Sequence, residues 1–104
     1  MVNSALFSKK TDEWYTPDDF FYNMDRQFHF TVDVASTDEN CKCFKHYTIE
    51  NSGLTASWEN ERVWCNPPYS NVTEWLKKGE TEKALTVYLL PSRTDTKFLA
   101  TFIL

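Results

Sequence analysis

The chain has 104 residues, 41% of them hydrophobic and 16% aromatic, and carries a net charge of −4. That length allows one domain with a thin margin for a core, so the large side chains, four Trp among them, must supply much of the burial. An acidic balance argues against a protein that lives mainly on phosphate contacts, since neutralising phosphates takes Lys and Arg.

Other classes fall away on pattern. No apolar run reaches the ~20 residues of a membrane-spanning helix, and no secretory apolar segment stands at the N-terminus. The expectation is a soluble protein of the cytoplasm. Three cysteines, Cys41, Cys43 and Cys65, are an odd number and argue against a disulfide framework. Cys41, Cys43 and His46 in "CKCFKH" suggest soft-metal ligation, but the second ligand pair of a structural zinc site is missing, and ordinary reduced thiols are expected. The lysine clusters 9–10, 42/45 and 77–78 read as solvated surface.

In chain order, residues 1–11 read as a flexible lead. "TPDDFFYNMDRQF" reads as a helix: Thr16 caps it, Pro17 suits the first helical position, and Asp18 and Asp19 sit where the helix dipole favours anions. Phe20, Phe21, Met24 and Phe28 form its buried stripe. "FTVDVAS" (30–36) reads as a strand ending in small residues, followed by a short helical turn at 37–40. "FKHYTI" is a second strand and "ENSGL" a turn. "RVWC" (62–65) is a third strand that must end at the prolines behind it, because proline lacks the ladder donor. "NVTEWLKKGETEK" reads as a helix with Trp75 and Leu76 inward. "ALTVYLL" is a continuous apolar strand of the kind buried inside parallel sheets, stopped by Pro91. "TDTKFLATFIL" reads as a capped amphipathic helix. Strands alternating with helices argue for an α/β layer structure.

The chemistry concentrates in "RVWCNPPYSN". Ligands of open parallel sheets sit at the carboxyl ends of strands, where Asn66 to Tyr69 fall. Two prolines hold the backbone stiff, so the Asn66 carboxamide and the Pro67 carbonyl present two acceptor oxygens at a fixed spot. Together they suit the two protons of a planar amino group, and Tyr69 adds a flat face for a ring. Such an amine, aimed at an electrophile, reacts mainly through positioning. The alternative is a rigid exit turn from the strand.

Asn66-Pro67-Pro68-Tyr69 resembles the catalytic motif of amino-methyltransferases that use S-adenosylmethionine. With "DEWYTP", "FTVDVAS", "RVWCNPPYS" and "LLPSRTDT" in this order, the chain from about Asp12 to Lys97 is similar to the phage-type (Dam-like) DNA adenine methyltransferase family. The resemblance implies an incomplete Rossmann-like S-adenosylmethionine methyltransferase sheet flanked by helices. It places one domain over 12–104 with C-terminal strands missing, because family members continue past the "TDT" segment. It also implies transfer of a methyl group to the 6-amino group of adenine, flipped out of DNA. Asn66, Pro67, Pro68 and Tyr69 match the catalytic loop. Tyr15, Thr16 and Pro17 match a segment near the methionine end of the cofactor. Asp33, Ala35 and Ser36 match the loop that wraps it, with Asp33 meeting the ammonium directly or through water, or else acting as a capping carboxylate. Glu50 is placed at the ribose hydroxyls, and Ser70 and Arg93 toward nucleic acid, with no metal. The implied location is the cytoplasm of a bacterial host.

Two departures stand out. "DVAST" lacks the glycine-rich turn usual after the first strand, leaving Ala35 and Ser36 to allow close approach. The shortened end leaves "ALTVYLL" with an unpaired side and an apolar tail, Phe98 to Leu104, for a second copy or a partner to cover. A second reading follows: a non-catalytic, truncated methyltransferase-like phage protein that binds and inhibits a host nucleic-acid defence enzyme, of the anti-restriction or anti-CRISPR type.

Overall fold

Strands and helices assemble into three layers in a computed structural model that describes residues 2–8, 18–91 and 97–103, with side chains for 18–90. The elements are β1 (Val2–Ser8), α1 (Asp18–Phe28), β2 (Val32–Asp33), β3 (Arg62–Cys65), a 3₁₀ turn (Tyr69–Asn71), α2 (Val72–Glu82), β4 (Leu85–Pro91) and β5 (Lys97–Ile103). They form one sheet in the order β1-β5-β4-β3-β2. β2, β3 and β4 are mutually parallel, whereas β5 runs antiparallel to both β4 and β1.

Side chains on a strand alternate between faces, and both faces of β3 and β4 are covered. Trp64, Val87 and Leu89 meet Phe21 and Met24 of α1 on one side. Phe21 stands edge-on to Trp64 with ring centroids 5.1 Å apart. Val63, Cys65 and Tyr88 meet Trp75 of α2 and Trp58 of the β2–β3 connection on the other. Burial on both faces is why Val63, Trp64 and Cys65 are all apolar, and why "ALTVYLL" is apolar except for Thr86, whose hydroxyl donates to the Ala84 carbonyl at 3.1 Å. The α1 helix ends where His29 turns left-handed (φ 53°). There Asp25 takes the next two amides, His29 N–H on its carbonyl at 2.7 Å and Phe30 N–H on its carboxylate at 2.8 Å.

Four expectations differ from the structure. Val2–Ser8, read as a flexible lead, is a strand paired along β5. Lys97–Ile103, read as part of a helix, is a strand inserted between β4 and β1. Aromatic and β-branched residues fit a pleated surface, and an open β4 edge offers the ladder that a helix would forgo. β4 therefore has partners on both sides, not one. The strand expected over 30–36 narrows to Val32–Asp33, because the chain bends behind Asp33, whose carboxylate captures the Ala35 amide. "FKHYTI" forms no strand: a single parallel bridge joins Asp33 and His46, and the bend in β2 leaves it no straight edge to extend along.

Candidate active site

The parallel strands β2 and β3 discharge their following loops over the same end of the sheet, and those loops build the site. Beyond Cys65 the chain enters Asn66, half-buried, and Pro67, buried. Pro68 is extended at φ −60°, ψ 143° and leads directly into the 3₁₀ turn. Fixed proline φ angles leave little slack between strand and helix. The first turn of α2 locks the exit: the Trp75 indole donates to Asn71 Oδ1 at 3.2 Å, and Asn71 Nδ2 donates to Glu74 at 3.2 Å.

Around this motif lies a cavity of ≈ 290 Å³ lined by Ala35, Asn40, Asn66, Pro67, Pro68 and Tyr69. Tyr69 is 45% exposed, so part of its ring is open to a ligand. The four motif residues thus surround one space. Beside it runs a larger trough of ≈ 420 Å³. Its hydroxyl side is Ser36, Thr37, Thr48 and Ser52, and its apolar side is Val34, Leu54 and Trp75. Ala35, Asn40 and Pro68 wall both spaces. Ser70 lines the trough, and Ile49 projects over it while 92% exposed. Glu50 lies further out, on a neighbouring recess of ≈ 230 Å³, and accepts from Thr48 Oγ1 at 2.9 Å.

Asp33 is 2% exposed and organises the wall. Its Oδ1 accepts the Ala35 amide at 3.3 Å and its Oδ2 accepts the Lys42 amide at 2.9 Å. Burial nevertheless raises its pKa, the two amides and the charges of His46 and Lys42 acting the other way. A gap of ≈ 20 Å³ separates it from Asn66, about the room one water needs. The capping alternative is what its contacts display, with space for a water-mediated reach.

The floor depends on glycine at one place. A Cβ on Gly53 would lie 2.3 Å from the Val34 carbonyl oxygen and 2.9 Å from Val34 Cβ, so this turn presses its backbone onto the end of β2. Trp58 holds it there, its indole donating to Gly53 O at 2.9 Å.

Asn40 and Thr37 were not among the residues expected at the site, and both line it. Thr37-x-x-Asn40 has capping-box spacing, which is the signal that could have found them. Tyr15, Thr16, Pro17 and Arg93 lie outside the described residues. Cys43 packs into the α1 cluster, where burial, then Asp33 and Asp25, push its thiol up to about 12. Both His46 nitrogens face acceptors, Asp38 Oδ1 at 2.8 Å and the Phe44 carbonyl at 2.9 Å. Among the described residues no group of His, Cys, Asp and Glu could hold a metal, and no helix is long and apolar enough to cross a membrane. Lys42, Lys45 and Lys78 each pair with a carboxylate, Asp18, Glu61 and Glu82, which leaves little local surplus of positive charge on them.

Comparison with known proteins follows the same lines. A model of the family described as DNA N-6-adenine-methyltransferase (Dam) matches residues 3–102. The chain is 32% identical over 87 residues to a DNA N-6-adenine-methyltransferase of Haemophilus phage HP1, covering 82% of this chain and 50% of that protein. It is 35% identical over 70 residues to a DNA N-6-adenine-methyltransferase of Escherichia phage T1, covering 65% and 29%. The chain therefore spans half or less of the length of these two relatives. No solved structure matches it. Since the family match runs through the strand, the proline turn and the sheet that carries them, the chain belongs to the DNA N-6-adenine-methyltransferase (Dam) family.

Proposed function

We propose that this site performs S-adenosylmethionine-dependent methylation of the 6-amino group of adenine in DNA, on a Rossmann-like core formed by β2, β3 and β4. The observation that carries the reading is the pairing of two spaces across one wall. The cavity at Asn66–Tyr69 (≈ 290 Å³) lies against a trough of ≈ 420 Å³, and Ala35, Asn40 and Pro68 border both. The larger falls in the ~300–1,000 Å³ range of small-molecule sites.

The trough's donor set fits the cofactor. Val34, Leu54 and Trp75 offer apolar cover for a purine ring, and Ser36, Thr37, Thr48 and Ser52 offer hydroxyls to a sugar and an amino-acid end. The small Ala35 lets the backbone come close there, and Gly53 packs the neighbouring turn onto Val34. Glu50 at the outer recess suits ribose hydroxyls, and Asp33 reaches an ammonium through one water. Bound S-adenosylmethionine supplies an electrophilic methyl group on a sulfonium.

The chain's own residues then do positioning. The Asn66 carboxamide and Pro67 carbonyl accept the two N–H bonds of the target amine and turn its lone pair outward. Tyr69 stacks on the base, which reaches the site by flipping from the duplex. The same two oxygens retain the amine's surplus proton until it passes to solvent, so no separate strong base is needed. Asn66→Ala should lower methyl transfer to DNA by at least about 100-fold, in line with losing one oriented hydrogen-bonding group at a reacting centre. Calorimetric affinity for S-adenosylmethionine should hold within about twofold. A folded Asn66→Ala protein that still methylates at the parent rate refutes the assignment.

One observation favours the non-catalytic reading, the net charge of −4 with site-side lysines already paired. That reading expects no heat on titration with S-adenosylmethionine and an Asn66→Ala protein that keeps its effect on the host enzyme.

A further inference from the structure

Asn40 lies where three spaces meet. It lines the motif cavity, the larger trough and the small gap at Asp33. Its side chain is held rather than mobile. Thr37 N–H donates to Asn40 Oδ1 at 2.8 Å, while Asn40 N–H donates to Thr37 Oγ1 at 3.2 Å. This reciprocal arrangement is that of a capping box and fixes the rotamer. It also decides the amide's orientation: only the oxygen can face an N–H donor, so Nδ2 is the atom left over. Among the described residues Nδ2 has no partner, and the residue is exposed to the cavities. A polar group pre-set in this way beside Asn66 offers a ligand donors, not acceptors.

We infer that Asn40 is a specificity-determining residue that donates from Nδ2 to a ring nitrogen of the target base. The inference rests on the reading of Asn66 as acceptor for the adenine amine. Adenine places acceptor nitrogens, N1 and N7, on either side of the carbon that bears its amino group. With Asn66 Oδ1 and the Pro67 carbonyl turned to the amine as acceptors, the adjoining ring nitrogen is left to be met by a donor. Asn40 supplies that donor from the facing loop. Guanine carries a carbonyl where adenine has its amine, so acceptors meet an acceptor whichever ring nitrogen is contacted, and at N1 its N–H also meets the donor. Mismatched edges of this kind are rejected because buried polar groups are left unpaired.

Asn40→Asp separates this role from support of the turn. A carboxylate keeps the acceptor for Thr37 N–H at the same size, removes the donor and adds a negative charge. The variant's kcat/KM for adenine-containing DNA should fall about 10- to 100-fold, the discrimination typical of one good base contact. The charge is controlled with adenine replaced by its 1-deaza or 7-deaza analogue in the DNA, since the donor's share of the loss should vanish on whichever lacks the contacted nitrogen. The comparison is made at saturating S-adenosylmethionine, because Asn40 also walls the trough. A second measurement needs no variant and no turnover. The Asn40 side-chain ¹⁵N–¹H₂ signals of the parent protein should shift on titration with 2′-deoxyadenosine 5′-monophosphate, and less with 2′-deoxyguanosine 5′-monophosphate. The response should shrink for whichever of the 1-deaza or 7-deaza adenine nucleotides lacks the contacted nitrogen. Side-chain signals that do not respond to 2′-deoxyadenosine 5′-monophosphate in the S-adenosylmethionine-saturated protein, or a folded Asn40→Asp protein with parental DNA kinetics, overturns the inference. Failure of the underlying methyltransferase reading would show differently, as absence of both transfer and S-adenosylmethionine binding in the parent protein.

Discussion

Gly79 on α2 is predicted to be irreplaceable because of a hydroxyl on β4. A Cβ at Gly79 would stand 1.9 Å from Tyr88 Oη and 3.1 Å from Tyr88 Cζ. Tyr88 has nowhere to retreat: it is 0% exposed, and its hydroxyl donates to the Trp75 carbonyl at 2.8 Å. Gly79→Ala gains ~1 kcal/mol of helix propensity. It incurs ~1–3 kcal/mol of overpacking. A further ~1–3 kcal/mol follows when the phenol loses its acceptor in the core. The net is a destabilisation of about 3 kcal/mol. Tyr88→Phe alone should cost only ~1 kcal/mol, since the Trp75 carbonyl keeps its helical N–H. In the Tyr88→Phe background the worst overlap is gone, and adding Gly79→Ala should cost under ~1 kcal/mol. The cycle therefore predicts a coupling of about 2 kcal/mol, readable from urea unfolding followed by tryptophan fluorescence. Additive costs, with Gly79→Ala equally harmful in both backgrounds, would show that Tyr88 is not the reason for glycine here.

Two further outcomes are expected. Lys83 ends α2 in the left-handed region (φ 56°), its N–H donating to the Gly79 carbonyl. Lys83→Gly should stabilise the protein by about 1 kcal/mol in the same unfolding assay, because glycine adopts this conformation without steric cost. His46, with an acceptor at each ring nitrogen, is held protonated above its usual range, chiefly by Asp38 and then by the Phe44 carbonyl. Because its folded pKa is raised, the stability it contributes is complete below the ordinary value near 6.5 and is lost as pH rises through the folded value. NMR titration should place His46 above 6.5, and Asp38→Asn should bring it down; an unmoved pKa in that variant would show that the carboxylate is not its cause.

What could be read from the chain, and what could not, divides along physical lines. "RVWC" and "ALTVYLL" declare themselves because strands covered on both faces need largely apolar runs. The α1 stripe is visible because Phe21 and Met24 recur at helical spacing. Asn66 to Tyr69 stand out because two prolines end a strand abruptly, and only a fixed turn explains them. The order of motifs around them was enough to name the family. Asn40 stayed hidden because a polar residue in a turn has no periodicity. Its value comes from pairing between β2 and β3, which sets its turn against the proline loop. Residues 97–103 misled because aromatic and aliphatic runs suit helix and strand alike, and the decision belongs to the vacant side of β4. Asp33 was legible as a carboxylate of consequence, but its amide partners, nine and two residues on, appear only once the loop closes.

That closure has a mechanical meaning. One carboxylate gathers the amides of Ala35 and Lys42 into a ring of chain, and Asn40 rides inside it. Two of the three residues that wall both chambers, Ala35 and Asn40, therefore sit on one closed hoop of chain and face Pro68 across from it. Two guests that must meet within a bond length are served by such a frame, because their spacing is set before either arrives.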